Sequence, residues 1–304
     1  MSQTVMTVQG PIPADTLGKT AMHEHVLIDL FRVSRLSDFL LNDEEMAADE
    51  VRLFMDAGGA TIVDVTTPDL GRDPLALRRI SEATGVHLVM GCGWYRQPFY
   101  PEEIDRTTVD AIASQMIGDI TDGVGETGIR AGIIGEIGSD KNYVSAQEER
   151  VFRAAARAQK RTGLALTTHT SFSPVGLQQL DILEEEGADL RRVIIGHCDT
   201  YLFRDYHEAL LRRGAYVQYD SVGSSYIYPD AKRVKLMVEL LRQGYASQLL
   251  LSCDVCRKSY WHAYGGIGYD YCLSRYLPQL RAAGVSEEEI HLMVVENPRR
   301  LLAN

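Results

Sequence analysis

The chain has 304 residues, of which 45% are hydrophobic and 24% charged, and a formal net charge of -11 at pH 7. That length holds one large α/β domain and leaves no room for two ordinary domains with a linker, while the composition excludes extended disorder. The negative balance argues against nucleic acid as a partner, because phosphate backbones are bound mainly through excess Lys and Arg.

Eight β-rich runs follow one another along the chain. They begin at Lys19 (KTAMHEHVLI), Ala60 (ATIVDVTT), Val86 (VHLVMGCGWY), Arg130 (RAGIIGEIG), Leu164 (LALTTHT), Arg192 (RVIIGHCD), Ala215 (AYVQYDSV) and Gln248 (QLLLSCDV). Amphipathic stretches lie between them, such as 147–162 and 232–244, the second ending on Gly244 where a helix C-cap is expected. This alternation is the pattern of βαβ units with a parallel sheet, and eight of them predict a closed (β/α)8 TIM barrel spanning 1–304 as a single α/β domain. A doubly wound open sheet is the alternative, but it usually counts fewer strands. Residues 286–304 read as a final helix covering the barrel's outer layer, with a break at Asn297-Pro298.

In such barrels reactive groups gather at the C-terminal ends of the strands. His23 and His25 belong to the first run, Glu136 ends the fourth, His169 the fifth, His197 the sixth and Asp254 the eighth. Two residues apart on a strand, His23 and His25 face the same way, while Glu24 points away from them and reads as a structural residue paired toward the helix layer. An unpaired buried carboxylate is costly, and a cation within reach of Glu136 and Asp254 removes that cost. Imidazole nitrogens with carboxylate oxygens suit zinc, with manganese or cobalt as neighbours. Six ligands are too many for one ion that must keep an open position, so two divalent ions bridged by Glu136 and a solvent oxygen are expected.

These residues and their surroundings resemble the phosphotriesterase family of the amidohydrolase superfamily, closest to its phosphotriesterase homology proteins. The resemblance rests on GKTAMHEHVLID, AGIIGEIG, LTTHTSFSPVGLQQL, VIIGHCD and GGIGYDY, which occur in the expected order. It implies that His23, His25 and Asp254 hold the more buried ion, His169 and His197 the more exposed one, and that Glu136 bridges. Organophosphate-degrading members use a carboxylated lysine on strand 4; here Gly135 precedes Glu136 and Lys141 lies beyond the strand. A metal-dependent hydrolase of lactones or carboxylic esters is therefore expected, with phosphotriester hydrolysis as the alternative activity and a non-catalytic binding protein as the third reading.

The expected nucleophile is a hydroxide bridging the ions, since even one zinc brings the pKa of bound water down to about 7. Asp254 is the expected proton acceptor and Asp220 its rival, the latter fitting better as a hydrogen-bonding support. Tyr95 occupies the place where related lactonases set an aromatic or phenolic group beside the exposed metal. Arg257 and Tyr260 match positions that read the phosphate of phosphorylated sugar lactones in similar members, although the lysine those members carry before the Tyr-Pro-Asp segment is absent. Arg257 and Lys258 paired to surface acids is the competing reading.

The partner is accordingly a small-molecule substrate, not a membrane, since no run approaches the roughly 20 apolar residues a bilayer requires. A cytoplasmic location follows from the absence of a cationic-then-apolar stretch in 1–18, and a homodimer from the prevalence of symmetric pairs. Five cysteines (92, 198, 253, 256, 272) read as reduced structural thiols. Three local patterns carry no function. GVGETG at 123–128 follows a helical stretch and precedes a strand, the reverse of a dinucleotide site; Cys253 and Cys256 have redox spacing but straddle Asp254; and G-x-S-x-G is missing.

Overall fold

Each of the eight runs yields one parallel strand: β1 Thr20–Glu24, β2 Thr61–Asp64, β3 His87–Cys92, β4 Ile133–Ser139, β5 Leu166–Thr170, β6 Val193–Ile195, β7 Tyr216–Tyr219 and β8 Leu249–Leu251. They follow in sequence order around one sheet in a computed structural model that describes residues 3–304. A helix follows each strand: α1 Glu44–Asp56, α2 Pro74–Thr84, α3 Val109–Thr121, α4 Ala146–Thr162, α5 Gly176–Glu185, α6 Arg204–Arg212, α7 Asp230–Arg242 and α8 Leu277–Ala282. The barrel is nearly closed, and the expected fold stands.

Local chemistry sets where the helices begin. Asp43, Asp73 and Thr108 accept backbone N–H bonds at the starts of α1, α2 and α3, and Ser145 with Glu148 forms a reciprocal capping box on α4. The pleat then divides each strand between two cores. Ile62 faces the helices while its neighbour Val63 faces the barrel axis, where it joins Met22, Val89, Ile133, Ala165, Ile194 and Leu250. Val5, Leu17 and Leu301 complete this inner cluster. The barrel floor is thus dry and packed.

The last helical segment departs from expectation. It starts as predicted on a Ser286–Glu289 capping box, but no break occurs at Asn297-Pro298. Instead Leu292–Glu296 winds into a wider π-turn and the chain continues helically through Asn297–Leu302. The widened turn accommodates a proline that has no N–H to donate. The Asn297 amide reaches inward to the carbonyls of Ala246 and Leu249, so the first half of the segment covers the outer layer and the second half turns under the barrel.

β8 and β1 meet at the seam of the barrel. No ladder pairs them; just past the end of β8 a main-chain bond runs from Asp254 N–H to the His23 carbonyl, and side chains add further bonds. Ser252 Oγ accepts the His23 N–H at 2.9 Å. Glu24 therefore does not pair toward the helix layer as the sequence suggested: its carboxylate turns into the seam and accepts from Ser252 Oγ, Cys253 N and Val255 N.

Candidate metal centre

A register shift between Ala21 and Glu24 changes the facing of β1, so that His23 and His25 both enter the barrel mouth. On β4, Gly135 has φ 110°, and a Cβ there would collide with the Thr167 carbonyl. Only glycine permits the turn that carries Glu136 to the axis. His169 comes from β5, while His197 and Asp254 follow β6 and β8 in left-handed backbone at φ 56° and 52°.

The four imidazoles converge on Glu136. Its Oε1 lies 3.3 Å from His25 Nε2, and its Oε2 lies 3.0 Å from His169 Nδ1 and 3.6 Å from both His23 Nε2 and His197 Nε2. Asp254 Oδ1 is 3.5 Å from His25 Nε2 and 3.7 Å from His23 Nε2. All six expected residues therefore meet. His23, His25 and Glu136 form one tight group able to hold an ion, and Glu136, His169 and His197 form another.

The nitrogens on the far side of the rings have other partners. His25 Nδ1 lies 2.8 Å from Thr66 Oγ1, His169 Nε2 lies 2.7 Å from Ser171 Oγ, and His197 Nδ1 lies 2.8 Å from Asp220 Oδ1. Asp220 Oδ2 is also 3.4 Å from His23 Nδ1. A carboxylate accepting the His197 Nδ1–H fixes the tautomer and leaves the Nε2 lone pair facing the centre. Asp220 thus orients the His197 ring, while its second oxygen approaches His23 without a hydrogen bond. It also forms a third tight group with His23 and His197, the arrangement closest to making it a ligand.

Two observations fit cations here. His169 Nδ1 and His197 Nε2 are only 2.7 Å apart, a distance at which two lone pairs repel unless a proton or a cation lies between them. Both ring nitrogens of fully buried His23 lack a hydrogen-bond partner among the described residues. Burial pushes His23 down to about 4 and His169 to about 3, which keeps these rings neutral and able to ligate. For Glu136 burial acts upward, but His23, His169 and His197 outweigh it and hold the group well below the usual carboxylate range. Burial raises Asp254 to about 7.

The sequence profile described as the phosphotriesterase family matches residues 3–302. The chain belongs to the phosphotriesterase family. A phosphotriesterase homology protein from Escherichia coli is 37% identical over 93% of this chain and 97% of that one. Its crystal structure, with phosphate in the active site, superposes with a TM-score of 0.93 over 95% of this chain and 99% of that one. A lactonase from Listeria monocytogenes is 29% identical, with a TM-score of 0.92 and 98% of both chains covered. An N-acetyltaurine hydrolase from Dictyostelium discoideum is 29% identical over 98% of this chain and 97% of its own length. Two of these relatives of the phosphotriesterase-family chain are thus hydrolases.

Around the cluster, the other residues singled out in this family member fall as follows. Tyr95 is buried beside the cluster, with its hydroxyl 3.3 Å from both ring nitrogens of His169 and its ring 5.3 Å from that of Phe99. Asp69 holds the Tyr95 N–H at 3.0 Å. Among the described residues Arg257 makes no ion pair; it donates to the hydroxyls of Tyr226 at 2.6 Å and Tyr260 at 2.8 Å. The rings of Tyr260, Tyr226 and Phe39 lie 4.2, 4.8 and 5.3 Å from the guanidinium carbon. All five cysteines are free thiols, and four are buried.

Thr66, Ser171, Asp69 and Phe39 escaped the sequence reading. Ser171 stands two residues after His169, a local spacing that signals its bond, but the others come from separate loops and leave no local trace. No helix among the described residues is long and apolar enough to cross a membrane.

Proposed function

We propose that this chain is a binuclear metal-dependent hydrolase of lactones or carboxylic esters whose substrates carry an anionic end. The observation that carries the reading is the convergence of four imidazoles and two carboxylates, from five different strands or strand ends, on the Glu136 carboxylate. In this reading His23, His25 and Asp254 would hold the more buried ion and His169 and His197 the more exposed one, with Glu136 shared between them. Zinc suits the nitrogen-rich donor set, as do manganese and cobalt. When bound, the ions supply Lewis acidity and make water a nucleophile at neutral pH.

The remaining work falls to the side chains. Asp254 is the most exposed of the six, with 22% of its side chain open. Its Oδ1 faces His23 and His25, and its Oδ2, 4.0 Å from His197 Nδ1, takes the proton released by the attacking water and passes it to solvent. The Tyr95 hydroxyl, beside His169, positions the substrate's reacting oxygen. Arg257 and Tyr260 receive the anionic end, which supplies the charge that a half-buried guanidinium surrounded by three rings otherwise lacks. The lactonase activity of the Listeria relative and the phosphate in the Escherichia coli structure support both parts of this reading.

The test is reconstitution of metal-free protein with zinc or manganese, followed by assays on neutral lactones, phosphorylated sugar lactones, aryl esters and paraoxon. Two ions per chain and turnover highest on the anionic lactones are expected. Absence of bound metal, or turnover of paraoxon alone, would overturn the proposal.

A further inference from the structure

Glu24 is a buried acid of the mouth that the proposed chemistry leaves without a task. It is fully buried, stands between His23 and His25, and has both oxygens engaged: Oε1 accepts from Ser252 Oγ at 2.7 Å and Cys253 N at 2.7 Å, and Oε2 accepts from Val255 N at 2.8 Å. With both oxygens so occupied, it is no ligand. The donors it holds are the residues on either side of Asp254, a non-glycine residue in left-handed backbone.

We infer that Glu24 is a positioning residue: it clamps the two amides flanking Asp254 and thereby fixes that carboxylate against His23 and His25 across the seam of the barrel. The inference rests on the proposed ligand role of those three residues. Its physical basis is reach. The β1–β8 seam lacks the regular ladder that aligns the other strands, and the main-chain bond from Asp254 N to the His23 carbonyl is long at 3.3 Å, so side chains help to set the register there. Ser252 completes the arrangement, donating to Glu24 while accepting the His23 N–H at 2.9 Å. The left-handed turn at Asp254 is strained for a residue with a side chain and persists only where its surroundings over-determine it. Three hydrogen bonds to the two oxygens of one carboxyl group do that.

Glu24→Gln keeps the size of the side chain but turns an NH2 group toward one of these N–H or O–H donors. Chelator competition on the zinc protein is expected to show one of the two ions bound 10–100-fold more weakly, the range typical when an outer partner of a ligand is lost, and the other unchanged. Amide hydrogen exchange in the metal-free variant should speed up at Cys253 and Val255 while the floor strands keep their protection. A purely structural Glu24 predicts instead that both ions weaken together as the melting temperature falls. Either that result or wild-type affinity for both ions overturns the inference. If the variant fails to fold, Ser252→Ala decides, with a smaller selective loss at the same ion expected and no loss overturning it. Should the unmodified protein itself bind no metal, the hydrolase reading fails first, so the two failures are distinguishable.

Discussion

The two ends of the barrel bury their interiors by opposite means. At the floor Met22, Val63, Val89, Ile133 and Leu250 pack against one another and against Leu301, with hardly a polar atom to satisfy. At the mouth His23, His25, Glu24, Glu136, His197 and Asp220 are just as inaccessible, yet every one is titratable. The four non-glycine residues with positive φ among those described, Arg35, Phe172, His197 and Asp254, all lie in loops leaving the C-terminal strand ends. The floor gives the fold its stability, and the mouth spends part of that stability on keeping charged and strained groups in place.

Asp254→Asn tests that division most severely. It should lower kcat/KM at least about 1000-fold, on the order of 4 kcal/mol of transition-state stabilisation. The metal-free variant should melt no lower than the parent, because burial already disfavours the ionised carboxylate. Leu250→Ala inverts the experiment. Emptying a fully buried floor position should cost about 2–5 kcal/mol in urea unfolding and leave turnover per folded molecule unchanged. Equal losses of activity and stability in both variants would erase the distinction.

A smaller effect comes from the side of the barrel. His207 on α6 is buried between the carbonyls of Cys198 and Tyr201 and the Tyr219 hydroxyl, and burial pushes it down to about 4. A folded-state pKa below the unfolded value of 6.5 means that the unfolded chain takes up the proton first. The contribution of His207 is thus complete above pH 6.5 and lost as pH falls toward 4. Between pH 8 and pH 5 the advantage in unfolding free energy of the parent over His207→Gln should shrink by on the order of 2 kcal/mol; a constant difference would contradict the assignment. The smallest change concerns the rim. Arg257→Ala should raise KM about tenfold for an anionic lactone and leave a neutral one untouched. A uniform rise would mean that the arginine packs the loop and does not read charge.

The same contrast explains what could be read from the chain alone. Strands buried on both faces must be apolar along their length, so all eight were visible as runs such as TIVD and LLL, and a histidine or carboxylate directly after such a run stood out as chemically out of place. His23, His25, Glu136, His169, His197 and Asp254 were legible for that reason. Contacts between distant residues leave no period to detect. The bond from Ser252 to Glu24 joins residues 228 apart, and the rings around Arg257 come from Phe39 and Tyr226 as well as nearby Tyr260. Pro298 misled for a different reason: its missing N–H marked a break, whereas a slightly wider turn absorbed it.

The seam also has a consequence for how the molecule assembles. Bonds joining His23 to Ser252 close a loop of 229 residues, and the entropy of drawing such distant segments together is paid before any contact rewards it. Loop-closure entropy therefore favours a late docking of the eighth strand in folding. Until it occurs, a chain emerging from the ribosome holds His23 and His25 without Asp254, and the cluster becomes complete only when the ring of strands has closed.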